Sequence, residues 1–408
     1  MVKLRLSSLQ AFASRYASKG LWLFPLPLAL GLAAKLAHSK LWFGDYQAVA
    51  CAGQKALAGE PLYDLNLACA GMHPSVYVYV PSIAQLAAFC QQLIGEPGLF
   101  SLYLGLFVAA LGVLMLAPFT RGVPGTWRDK LPFTVLWSGS AVMWGNIAVI
   151  LHGAVLLAAL TFETLPWLFI AMVAVAAWVK PVFLAYLAVV LLADRPLLNR
   201  LIMASAGLLA GLLPTLLFSV TGGDLAQQWA AILSHFVYDT TPGYGYFGWL
   251  DLIGVNGNST AVQIGFLVFA GLLGLAGLSL AEGLTLNGRE RLWLGLSLAV
   301  LLIPRIMSQD IFLLGPGLVI VARRGAEWMS RRRRQDSVVA HGPAVVLALC
   351  GLALLGGLTG LADYLTPLAL FGMSLYILWL GKTVLIARTD RVVAQLWPVI
   401  RAKPVAGE

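Results

Sequence analysis

Four stretches, about residues 201–220, 259–281, 343–362 and 365–387, run some twenty residues with at most one charge each. At about 1.5 Å per residue such a run matches the roughly 30 Å hydrocarbon core of a bilayer. In lipid the backbone can bond only to itself, so each run must be a helix. With 60% hydrophobic and 11% charged residues and a mean hydropathy of +0.84, the rest of the chain follows the same solvent. The expectation is an all-α polytopic membrane protein. A net charge of +9 does not point to nucleic acid. All but Lys35, Lys40, Lys55, Lys180 and Arg305 of the 27 Lys and Arg fall on one side of the threading below, as cytoplasmic loops require.

Residues 1–19 place Lys3, Arg5, Arg15 and Lys19 among Leu4, Leu6, Leu9 and Phe12, the pattern of a short amphipathic segment on the cytoplasmic surface. The apolar run from Leu21 to Ala37 reads as an uncleaved first helix running outward, because more spans follow it. Residues 39–80 then form a first extracytoplasmic loop, too polar for hydrocarbon. Within it DYQAVACAGQKALAG has helical spacing, with Gly59 as its stop and Pro61 just beyond. Residues 81–94 are too short and polar to span alone and lead, as a partly inserted helix, into a span at 99–119. That span returns to a basic loop with Arg121, Arg128 and Lys130.

Three further apolar stretches are broken in the middle: 131–162 at Gly145 and Asn146, 165–193 at Lys180 and Pro181, and 292–322 at Pro304, Arg305, Ser308, Gln309 and Asp310. Their halves are short for a crossing, so each stretch is expected to turn within the outer membrane and set its polar tip at a water-accessible cavity. Residues 222–258, rich in aromatic and polar groups, form a second extracytoplasmic loop, and 388–408 a cytoplasmic basic tail. The threading gives one membrane domain over 20–387 with about twelve helices and both ends cytoplasmic. Cys51 and Cys69 share the first loop; they pair if that compartment is oxidising and remain two thiols if it is not. No CxxC spacing and no clustered His are present, so no metal site is expected.

Lys180, inside AVAAWVKPVFLAYL, would cost about 2.5–3.5 kcal/mol at a helix centre and needs a partner or a purpose. Arg305, in LLIPRIMSQD, poses the same question. Two cations on two broken hairpins suit an anion such as a phosphate; the plainer alternative pairs Arg305 with Asp310 and lets Lys180 snorkel outward. Asp45, two residues after Phe43, is either a general base facing that cavity or an N-cap, since FGDYQAVA also reads as a cap. Asp64 is a substrate ligand or a turn residue, and Asn146 a ligand or a helix-breaking polar contact. His235, Tyr244, Tyr246, Asn258 and Asp310 are candidates to bind the substrate, although an interfacial aromatic belt explains the tyrosines equally well. No GxGxxG, Walker, GxSxG or HExxH motif appears, so soluble nucleotide chemistry has no support.

The order GDYQAVACAGQKALAGEPLYD, YVYVPS, WGNI, WVKPVF followed by a basic loop, and NGNS before a span resembles glycosyltransferase family 87 of the GT-C superfamily, over roughly residues 40–320. Those are multi-span enzymes, best known as polyprenol-phosphate-mannose-dependent α-mannosyltransferases. The resemblance implies a GT-C-type fold, with Asp45 at the family's loop aspartate, the general base, and Lys180 at its Lys-Pro position near the lipid phosphate. The chain departs from the family at Pro81-Ser82, where a double proline is frequent, and at Gly145-Asn146, where Gly-Gln is usual. A polyprenyl-phosphate sugar donor, a glycan or glycolipid acceptor, no cofactor, no protein partner and an outward-facing site in a bacterial inner membrane are implied as well. The rival reading is a secondary transporter or lipid-binding protein that uses Lys180, Arg305 and Asp310. Two long outer loops and the absence of internal repeats weigh against a transporter.

Overall fold

The computed structural model describes residues 24–37, 42–120, 123, 126–331 and 341–389. The expected amphipathic segment 1–19 and nearly all of the tail 388–408 lie outside the described residues. Among those described there is no strand, only an isolated bridge between Leu67 and Ser75. Five helices are long and apolar enough to cross a membrane: Pro81–Thr120, Leu197–Thr221, Thr260–Gly283, Gly342–Thr359 and Ala362–Ala387. Their outward faces are oily, with Leu209 71%, Leu267 67% and Val220 84% exposed. Rows of this kind are an aggregation hazard in water and ordinary in lipid, which fits a membrane location.

Each interrupted stretch is interrupted at its polar residues. Gly139–Trp144 and Ile147–Ala159 meet at Gly145 and Asn146. Pro166–Val179 ends at Lys180, and a 3-10 turn over Pro181–Tyr186 leads into Leu187–Leu192; Pro181 has no N–H to continue the ladder. Gly288–Leu301 gives way to the turn at 302–310, then to Leu314–Arg331. Three details differ from expectation. The first stretch begins with a separate short helix, Trp127–Thr134. Residues 81–119 are one bent run whose break is Gly95, with φ 70° and ψ 171°, a conformation that glycine alone holds without strain. The second outer loop is largely helical, through Gly223–Ser234, a π-helical turn at His235–Thr240 and Tyr246–Asp251.

Gly288–Leu301 forms the centre, packed between Leu187–Leu192 and Leu314–Arg331 and buried over most of its length. At its start Arg291 and Arg200 both bond Glu282, at 2.7 and 3.1 Å, while Arg324 bonds Glu290 at 2.7 Å. These arginines belong to the segments that the charge pattern assigns to the cytoplasm. The far end of the same helix leads into the 302–310 turn, so about 20 Å of helix separates the two polar regions. The helix Gly44–Ala58 lies along residues 81–94, where Gln91 Nε2 donates to the Ala50 carbonyl at 2.8 Å. Of the two states open for Cys51 and Cys69, the disulfide is the one present, and it ties this helix to the loop that follows.

Candidate active site

The helix Gly44–Ala58 begins from a left-handed residue. Phe43 has φ 57°, a region that bulky side chains avoid. Its surroundings hold it there: its N–H donates to the Met143 carbonyl at 2.6 Å, and its ring lies where a Cβ on Gly145 would come within 2.6 Å. Gly145 has φ 58°, and the Tyr103 hydroxyl donates to its carbonyl at 2.7 Å. The start of the helix and the 145–146 break are thus locked together, which delivers Asp45 to Asn146. Asp45 is not the cap, because Phe43 holds that position and no side chain caps the helix. Gly145→Ala should destabilise the protein by about 1–3 kcal/mol, since it adds both strain and a ring clash. Thermal unfolding in detergent checks this, and an unchanged midpoint would mean that the lock is absent.

Asn146 joins the acid to a cation. Its Oδ1 accepts from the Ala148 N–H at 2.9 Å, capping Ile147–Ala159, and from the Lys180 ammonium at 3.1 Å. With the oxygen occupied by two donors, the amide can face only one way. Its Nδ2 therefore donates to Asp45 Oδ2, at 2.6 Å. Lys180 does not snorkel; it has Asn146 and the ring of Tyr79, whose centroid is 5.5 Å from Nζ.

Asp45, Lys180 and Arg305 are each partly exposed, and the charges of Lys180 and Arg305 both reach the Asp45 carboxyl. Burial raises the Asp45 carboxyl above its ordinary range. The Lys180 ammonium, the hydrogen bond from Asn146 and the Arg305 charge oppose that rise without cancelling it. A carboxylate so placed is a stronger proton acceptor than an exposed one.

Arg305 does not pair with Asp310. Its Nε donates to the Thr241 carbonyl at 2.5 Å and its Nη2 to Thr241 Oγ1, with the Phe236 ring 6.0 Å away. The Tyr244 N–H donates to the Ile306 carbonyl at 2.7 Å, so the second outer loop closes onto the 304–306 turn. Asp310 turns the other way: Oδ1 lies 2.8 Å from His152 Nε2 and Oδ2 accepts from the Met307 N–H at 2.7 Å, while His152 Nδ1 lies 2.6 Å from the Tyr186 hydroxyl. Sequence reasoning missed His152, Tyr186, Tyr79 and Thr241. The one available signal was a histidine inside an apolar helix, where a polar group needs a partner.

The remaining candidates are engaged elsewhere. Asp64 is an exposed turn residue whose Oδ1 accepts from the Asn66 N–H at 3.0 Å. The Asn258 N–H donates to Asn256 Oδ1 at 2.8 Å in another exposed turn. Tyr246 packs with Phe247, Trp249, Phe266 and Phe269. His235 lies 3.0 Å from Thr240 Oγ1, one residue before the Phe236 ring that faces Arg305. Tyr244 and Ser308 line a groove with Gly31, Val135, Ser138 and Leu354, beside the 304–310 turn. Among the described residues no three of His, Cys, Asp and Glu gather as metal ligands. No family model, no curated protein and no solved structure matches the chain.

Proposed function

We propose that this protein is a membrane-embedded, inverting glycosyltransferase. It moves a sugar, mannose or a related hexose or pentose, from a polyprenyl phosphate to a hydroxyl of an extracytoplasmic glycan or glycolipid. The observation that carries this reading is the chain Asp45–Asn146–Lys180, in which one fixed amide joins a proton acceptor to a cation. Asn146 occupies Oδ2 of Asp45 and leaves Oδ1 for the acceptor hydroxyl. As the acceptor oxygen bonds to the anomeric carbon, its proton passes to Asp45 and the bond from that carbon to the phosphate oxygen breaks on the opposite face. The electron pair of that bond stays with the lipid phosphate. Lys180 and Arg305 stabilise it there, where a low dielectric makes fixed cations effective.

The finer membrane arrangement belongs to the same proposal. The short helices flanking the three breaks complete a GT-C-type set of about twelve, with both ends cytoplasmic and the site facing outward from a bacterial inner membrane. The groove at Tyr244 and Ser308 is a route for the polyprenyl chain. Against the transporter reading stands Asp310, whose two oxygens are committed to His152 and the Met307 N–H. Incubating the purified protein with a synthetic labelled polyprenyl phosphosugar and a bacterial glycolipid extract tests the reading. Labelled product is expected; solute uptake into proteoliposomes without any transfer would overturn it.

A further inference from the structure

Tyr79 is 2% exposed, and its hydroxyl has no hydrogen-bond partner among the described residues. Every other tyrosine around it has one. Tyr63 donates to the Tyr79 carbonyl at 2.8 Å, Tyr77 to the Val80 carbonyl at 2.7 Å, Tyr103 to the Gly145 carbonyl at 2.7 Å and Tyr46 to Glu96 Oε1 at 3.1 Å. Loose placement does not explain the exception. The backbone is pinned on both sides, by Tyr63 at the Tyr79 carbonyl and by Trp229 Nε1 at the Val78 carbonyl, 3.2 Å. The ring meets Tyr77 edge-on with centroids 5.7 Å apart, and the Lys180 ammonium stands over it.

A buried hydroxyl without an acceptor is unfavourable, and native structures rarely keep one without a reason. The neighbours of this one indicate the reason. Lys180 uses one of its three N–H groups on Asn146, and Arg305 spends Nε and Nη2 on Thr241 and leaves Nη1 with no acceptor among the described residues. Asp45 is near enough for its charge to act on the phenol, yet does not accept from it. Burial and that charge keep the phenol protonated, hence a donor. Donors from three segments of the chain, two of them cationic, therefore lie near one another with N–H or O–H groups unspent, and an oxygen-rich anion is what such a set fits.

We propose that Tyr79 Oη is a third ligand of the phosphate site, donating a hydrogen bond to a non-bridging oxygen of a phosphate ester seated against Lys180 and Arg305. The proposal rests on the glycosyltransferase reading and adds to it a neutral donor whose bond strengthens as the leaving phosphate gains charge. Tyr79→Phe tests it, because it keeps the ring and removes a single oxygen. A short-chain polyprenyl phosphate would be titrated into the full-length proteins in nanodiscs, with inorganic phosphate as competitor to isolate the headgroup.

The variant is expected to bind the lipid phosphate about tenfold more weakly, and inorganic phosphate more weakly by a similar factor. Without ligand its unfolding temperature should not fall, since no bond within the protein is lost. Equal dissociation constants for variant and wild type would overturn the Tyr79 assignment and leave the glycosyltransferase reading in place. A lowered unfolding temperature without ligand would also overturn it, by revealing a partner inside the protein. Failure of the wild type to bind the lipid phosphate would overturn both.

Discussion

Asp45→Asn is expected to lower kcat for sugar transfer by about 10²–10⁴-fold, the usual contribution of a positioned general base. The substitution keeps the shape of the side chain, and the amide oxygen can still accept from Asn146 Nδ2, so the lock between the helix Gly44–Ala58 and the 145–146 break remains. Removing a carboxylate whose burial opposes its own charge also relieves a desolvation cost, so the variant should melt no lower than wild type. Donor binding should persist or tighten, because a negative charge beside the phosphate site disappears while Lys180 and Arg305 stay. Single-turnover measurements at saturating donor separate these effects. Wild-type turnover by the variant would remove Asp45 from the mechanism.

Lys180→Met should reduce kcat/KM for the donor by roughly 10²–10³-fold, as loss of one fixed group facing a developing negative charge does in other sites. It should weaken donor use more than it harms folding, because Asn146 Oδ1 keeps the Ala148 N–H and Asp45, without its largest opposing charge, can take up a proton. A second effect distinguishes a ligand of the phosphate from a remote structural lysine. In the proposed mechanism the base form of Asp45 is the active one, so rate should rise with pH through its pKa, which already lies above the ordinary 3.8. Lys180 is the largest influence holding that pKa down. Without it the acidic limb of the kcat/KM profile should move to higher pH. A weakened donor interaction with an unmoved acidic limb would mean that the Lys180 charge does not reach Asp45.

The breaks in the membrane helices were readable because Gly-Asn, Lys-Pro and Pro-Arg each interrupt a helix by local chemistry, through positive φ, a missing N–H or a charge. The helix Gly44–Ala58 was readable for the same reason, its end being marked by Gly59 and Pro61. What local chemistry does not carry was missed. Nothing near Phe43 announces a left-handed backbone, since that conformation is imposed by Met143 and Gly145 a hundred residues away in the chain. His152 in ILHGAV gives no hint of Asp310, 158 residues on, and without that partner Asp310 looked like the natural mate of nearby Arg305. Asp64 and Asn258 have the residue types of ligands and also those of turns; the Asp64 carboxylate is bonded within its own turn, while Asn258 joins its turn through its backbone N–H. The resemblance to a glycosyltransferase family rests on the order of short motifs, and the proposal of sugar transfer adds to it the Asp45–Asn146–Lys180 contacts.

One primary amide serves both ends of that geometry, its nitrogen on the acid and its oxygen on the ammonium. Under the proposed mechanism, basicity toward an incoming nucleophile and neutralisation of the departing group therefore cannot be adjusted independently. Any drift that reorients the planar group would change both at once, so under that mechanism divergence in sugar or acceptor preference is expected in segments away from Asn146.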